Sequence, residues 1–170
     1  MSGQLVEHLA QHYTVTRLLT AVSGLDSKGV LDLLENTDAA KFDVVFVSMG
    51  VNDVTGLMSP SKWMGLQSRL AKEIEARFEP ALVVHSAVPP MKRFTALPQP
   101  LRWFIGSWAR EMNRLLQESL KDRQNRMMHF PFLERLPGGL ASDRFYPGPL
   151  AYTVWGQGLA REIVARIGRA

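Results

Sequence analysis

Two positions in this 170-residue sequence carry chemistry suited to holding a developing negative charge. Gly24, in Ser23-Gly24-Leu25-Asp26-Ser27, sits between a β-rich run and a helix start, where a glycine can aim backbone N–H groups at an anion. Asn52, in Gly50-Val51-Asn52-Asp53, follows an apolar run, and its amide is a donor able to stabilise an oxyanion. Each also has a plainer explanation, the first as a strand-to-helix turn and the second as an asparagine bonding its own backbone. Far downstream, Asp143-Arg144-Phe145-Tyr146-Pro147, followed by Ala151, Tyr152 and Trp155, gathers a carboxylate, a phenol and aromatic rings. With no cysteine in the chain, thiol nucleophiles, thiolate metal sites and disulfides drop out, leaving oxygen and nitrogen chemistry.

The elements that must position these groups follow from periodicity. A helix is expected over residues 3–12, then a β-rich run over 14–22 that Ser23-Gly24 stops, then a helix capped by Asp26 or Ser27 with Val30, Leu31 and Leu34 on its apolar face. Residues 43–49 (DVVFVSM) and 81–88 (ALVVHSAV) are continuous apolar runs with β-branched residues, the pattern of strands buried on both faces of a parallel sheet. Ser59-Pro60 opens a helix whose face is Trp63, Leu66, Leu70, Ile74 and Phe78. A proline-stiffened loop over 91–102, with Phe94 and Leu97 placed to form a substrate wall, leads to a helix over 103–120, a strand near 127–132, a glycine-rich loop and a last helix over 152–167. Alternating strands and helices predict one α/β domain over 1–170, a three-layer α/β/α sandwich with a flavodoxin-like parallel sheet. In such folds a ligand sits beyond the carboxyl ends of the strands, where Gly24 and Asn52 fall.

Composition narrows the partners. The net charge of +4 is spread along helical segments, and the densest cationic stretch, residues 121–126, falls at a helix end where it complements the dipole. Nucleic acid is therefore not an expected partner, and no recognition module is present. No apolar run approaches the ~20 residues that span a bilayer, and residues 1–20 lack the pattern of a secretory leader, so the chain reads as soluble and, by default, cytoplasmic. No two histidines have metal-ligand spacing with a carboxylate, and neither a GxGxxG nor a Walker lysine motif appears, so no cofactor or metal is expected and a nucleotide-binding reading loses its support.

Four blocks, in order, resemble the serine-glycine-asparagine-histidine (SGNH, or GDSL-type) esterase and lipase family. FDVVFVSMGVNDV is similar to that family's buried strand ending in Gly-x-Asn-Asp, and SGLDS to the block whose glycine N–H joins the asparagine amide in the oxyanion hole. SDRFYPGPLAYTVWG resembles the block in which an aspartate precedes a histidine by three positions, and HSAVPP with FTALPQPLR resembles segments beside the substrate. The resemblance implies an SGNH hydrolase fold, a serine acyl-enzyme mechanism on a small-molecule carboxylic ester, oxyanion roles for Gly24 and Asn52, and Asp143 as the acid that orients the base.

Two departures accompany it. The family's Gly-Asp-Ser block is not found, and the first helix stands where an opening strand and the nucleophile turn would already have passed. Tyr146 occupies the position of the histidine base, and a phenol, ordinarily titrating near 10, is a poor replacement for an imidazole. Ser23, Ser48 and Ser86 near strand ends, and His85 within a strand, are weak substitutes, while His8, His12 and His129 fit helix-surface or strand positions. The expectation is a hydrolase-family chain with an incomplete N-terminus, or alternatively a pseudoenzyme that binds an acyl or acetylated ligand. Without the first strand, which the flavodoxin-like order places mid-sheet, the fold would need gap closure, a partner strand or a longer gene product.

Overall fold

The computed structural model of the protein describes residues 2–94, 96–131 and 148–168. Along the chain these form α1 (Ser2–Leu9), α2 (Ser27–Glu35), β1 (Val44–Val47), α3 (Val51–Thr55), α4 (Pro60–Phe78), β2 (Leu82–Ser86), a 3-10 turn (Met91–Arg93), α5 (Leu101–Leu120), β3 (Arg126–His129) and α6 (Pro149–Ile167). The three strands make a parallel sheet in the order β1-β2-β3, with Val44 opposite Leu82, Val47 opposite His85, and Ser86 opposite His129. Parallel pairing needs a crossover between strands, and α4 and α5 are those crossovers.

Two compact units divide the chain. One comprises residues 23–93 and 97–130, and holds the sheet with α2, α3, α4 and α5. Its core joins Leu31 of α2, Val47 of β1, Leu70, Ile74 and Phe78 of α4, and Val83 of β2, with Phe42, Val45, Met49 and Leu66 packed against them. These are the apolar positions that the periodicity singles out, and α4 begins as expected. Ser59 accepts the Lys62 N–H at 3.4 Å, and Pro60, which has no N–H to satisfy, takes the first helical position. Asp26, rather than Ser27, caps α2, its carboxylate accepting the Gly29 N–H at 2.9 Å.

The other unit comprises residues 1–22, 94–96 and 131–170. Within it α1 lies along α6, and the approach is close enough that a Cβ on Gly156 would fall 2.8 Å from the Cβ of Gln4. Only a residue without a side chain allows the two backbones to meet there.

Three expectations need correction. Residues 14–22 form no strand: they take no regular secondary structure, make no main-chain hydrogen bond to other described residues, and leave Leu18, Leu19 and Val22 more than half exposed. A β-rich sequence becomes a strand only when a neighbour takes up its N–H and C=O groups, and none does so here among the described residues. Phe94 is only 4% exposed, so it is not an open substrate wall; the turn at Met91–Arg93 precedes a ring that gains more from burial than from solvent. β1, expected to be buried on both faces, lies at the edge of the three-stranded sheet among the described residues and is only half-buried over Val44–Phe46.

Candidate active site

β1 ends at Val47, and three residues later the chain reverses at Gly50, whose φ of +110° lies in the region that side chains disfavour. Crowding reinforces the requirement, since a Cβ at Gly50 would meet Val88 Cγ2 at 2.5 Å. Val88 is itself pinned: its N–H donates to Asn113 Oδ1 at 2.8 Å and its carbonyl accepts from Asn113 Nδ2 at 2.9 Å, so one amide on α5 replaces the ladder partners that β2 has just lost. This junction aims the first turn of α3 past the carboxyl end of the sheet.

Asn52 lies on that turn, exposed, and its Nδ2 donates to the Leu25 carbonyl at 2.8 Å. Gly24, the residue before Leu25, turns with φ +85°, and a Cβ there would meet nothing within 4 Å, so conformation rather than crowding favours glycine. Gly24, on the loop before α2, and Asn52, on the first turn of α3, are distant in sequence and are brought side by side by one hydrogen bond. A carboxamide has two donor hydrogens, so the bond to Leu25 orients the group while leaving one hydrogen for another acceptor.

Beneath these loops lies a buried polar cluster. Asp53, 1% exposed, accepts the Ser27 N–H on Oδ1 and the Ser27 hydroxyl on Oδ2, both at 2.9 Å. Gln67 of α4, also buried, donates from Nε2 to Ser27 Oγ at 3.0 Å and approaches Met49 Sδ at 3.4 Å. Burial pushes the Asp53 carboxyl above its ordinary value, and the two bonds from Ser27 pull it back. The cluster locks the start of α2 to α3 and so sets the relative position of Gly24 and Asn52. Gln67 escaped the sequence reading although a signal was available: it falls on the buried face of α4 between Trp63 and Leu70, where a polar side chain needs a buried partner.

Of the serines near strand ends, Ser23 and Ser48 are exposed, while the buried Ser86 hydroxyl donates to the Ala87 carbonyl at 3.2 Å. Asp143 and Tyr146 lie outside the described residues. Among the described residues no three His, Cys, Asp or Glu side chains gather to hold a metal ion, and no helix is long and apolar enough to cross a membrane.

Known proteins give this geometry a context. No curated protein sequence matches the chain. Among solved structures it is similar to a member of the lipolytic protein G-D-S-L family from Veillonella parvula DSM 2008, with a TM-score of 0.66 and 14% identity over 96% of this chain and 87% of that one. It is also similar to a carbohydrate esterase family 3 protein from Talaromyces cellulolyticus, with a TM-score of 0.65 and 11% identity over 98% of this chain and 90% of that one. At such identities the likeness speaks for the fold: a parallel α/β sheet of the SGNH hydrolase type. The model of the GDSL-like lipase/acylhydrolase family matches residues 1–154, and with nearly the whole chain covered, the protein belongs to that family.

Proposed function

We propose that the chain acts on carboxylic esters, with the ester carbonyl oxygen received by the Gly24 N–H and the second hydrogen of the Asn52 amide. The observation that carries this is the bond from Asn52 Nδ2 to the Leu25 carbonyl, which holds the amide beside the Gly24 turn before any substrate arrives. Donors fixed in advance stabilise charge that appears only in the transition state, and losing one such donor typically lowers turnover about 10²- to 10³-fold. In the serine acyl-enzyme route a hydroxyl oxygen attacks the carbonyl carbon, the oxyanion forms at these donors, the alkoxide leaves with a proton from the base, and water then releases the acid. Asp143 has the role of orienting that base.

A second reading is favoured by one feature of the sequence, Tyr146 at the position of the family's histidine base. In that reading the donors bind an acyl or acetylated ligand without cleaving it. A short-chain nitrophenyl ester separates the two. Turnover above background that a serine-reactive phosphonate abolishes, and that Asn52→Ala lowers by about 10²-fold, supports hydrolysis. Absence of turnover with saturable binding of the ester, weakened by the same substitution, supports the binding module. Turnover indifferent to Asn52→Ala would remove the oxyanion assignment altogether.

A further inference from the structure

Charge is unevenly placed around the start of α5. Residues 80–110 contain Lys92, Arg93, Arg102 and Arg110 and no Asp or Glu, the longest stretch of the sequence without a carboxylate side chain. Further along the helix, Glu111 and Glu118 are both taken up by Arg114, at 2.6 and 2.7 Å. Lys92 and Arg110, both exposed, and Arg102, half-buried, enter no salt bridge among the described residues. Packing brings Lys92 to the other two: a Cβ on Gly106 would collide with its Cγ, so the lysine stem lies across the helix at that glycine. Arg102 and Arg110 stand one turn before and one turn after Gly106 on the same side of the helix.

The same turns carry apolar side chains into solvent. Trp103 is 60% exposed, and Leu101 and Phe104 are exposed as well, while Ile105, Ala109 and Met112 already fill the buried side of the helix. Phe104 packs on Trp108 with ring centroids 4.6 Å apart, and Trp103 lies one turn from Gly106, beside the lysine stem. Aromatic rings flanked by long cationic side chains, whose stems can lie on apolar surface while their charges stay in water, suit the boundary between lipid headgroups and acyl chains. Cations there also draw acidic headgroups. Single strands of nucleic acid are held by the same residue types, but in a groove that tracks their backbone, with bases stacked on the rings. Here the rings stand on the outward side of a helix, next to Leu101, which offers no face for stacking.

We propose that the start of α5 is a docking surface for an anionic lipid bilayer, with Leu101, Trp103 and Phe104 entering the headgroup boundary and Lys92, Arg102 and Arg110 drawing acidic headgroups. As the crossover from β2 to β3, α5 starts at the carboxyl end of the sheet, the end that carries Gly24 and Asn52. The proposal stands on charge and exposure and does not require that an ester is cleaved there.

Co-sedimentation of the full chain with vesicles tests it, using phosphatidylcholine alone and phosphatidylcholine with about one third phosphatidylglycerol. The expected result is partitioning onto the anionic vesicles at least about tenfold stronger than onto the neutral ones, weakening as salt rises and accompanied by a blue shift of tryptophan emission. Trp103→Ser lowers that partitioning at least about fivefold and reduces the blue shift. The double variant Lys92→Gln/Arg110→Gln lowers partitioning onto anionic vesicles at least about tenfold and leaves that onto neutral vesicles unchanged. Each altered side chain is exposed, so both variants keep the thermal unfolding of the parent chain. No partitioning, equal partitioning onto both vesicles, partitioning unchanged in either variant, or tighter binding to a single-stranded oligonucleotide than to anionic vesicles would overturn the proposal. Self-association that Trp103→Ser abolishes would overturn it too, by assigning the rings to a second copy of the chain.

Discussion

Asp53 and His85 are both polar, both about fully buried, and both within the unit that holds the sheet, yet they live under opposite rules. Asp53 has an acceptor bond for each carboxylate oxygen, and its partner Ser27 is further held by Gln67. His85 has none among the described residues. A satisfied buried group is part of the frame: it fixes α2 against α3 and makes the loop geometry definite. An unsatisfied one costs stability and adds nothing to the frame.

The largest expected effect breaks the satisfied side. Asp53→Ala strands the Ser27 N–H and hydroxyl in a water-free place, and urea denaturation should show a loss of about 3 kcal/mol with an unchanged slope. A loss below about 1 kcal/mol would mean that the cluster is not the anchor of these loops.

Acid comes next and separates the two residues by sign. Burial, aided by the charge of Arg126, lowers the His85 pKa from 6.5 to about 4, so between these values the unfolded chain takes up a proton that the folded chain refuses. Stability therefore falls as pH drops from 6.5 towards 4, by up to about 3 kcal/mol, and is flat above. Asp53 acts the other way: its raised carboxyl favours the folded state at acid pH, and that contribution fades as pH rises through the window above 3.8. His85→Leu should abolish the slope between pH 6.5 and 4 and raise stability at neutral pH by about 1 kcal/mol, read from thermal unfolding across pH. A slope that survives the substitution assigns the acid sensitivity elsewhere.

The smallest effect sharpens the comparison at its exposed margin. Asp26→Ala removes the cap of α2 one residue from Ser27, and should cost about 1 kcal/mol, well short of the Asp53 change. Equal losses in the two variants would show that helix capping, not the buried cluster, holds this junction.

Much of this architecture was legible in the sequence. The apolar, β-branched run at 81–88 reads directly as the interior strand β2, the run at 43–49 marks β1 but not its place at the edge of the sheet among the described residues, and Ser59-Pro60 followed by Trp63, Leu70, Ile74 and Phe78 marked α4 to within a residue. The pairing of Gly24 with Asn52 was not available from spacing; it came from the resemblance, and the bond to Leu25 supplies its physical basis. Residues 14–22 misled because local propensity does not say whether a neighbouring strand exists. His85 stood out as a polar break in LVVHS, but which helices it faces depends on the crossovers. Phe94 is buried where a proline-rich loop suggests an open wall, because proline spacing stiffens a loop without saying which of its side chains reach solvent.

The exposed run at 14–22 has a practical consequence. Its sequence, TVTRLLTAV, joins β-branched and leucine residues with a single charge, Arg17, whose guanidinium contacts Ser2 Oγ at 3.3 Å. A backbone with no main-chain partner among the described residues, carrying Leu18, Leu19 and Val22 outward, has the shape that another molecule's strand edge accepts and that a protease cleft admits. Association between chains in concentrated solution is therefore expected to begin at these nine residues rather than at the buried core.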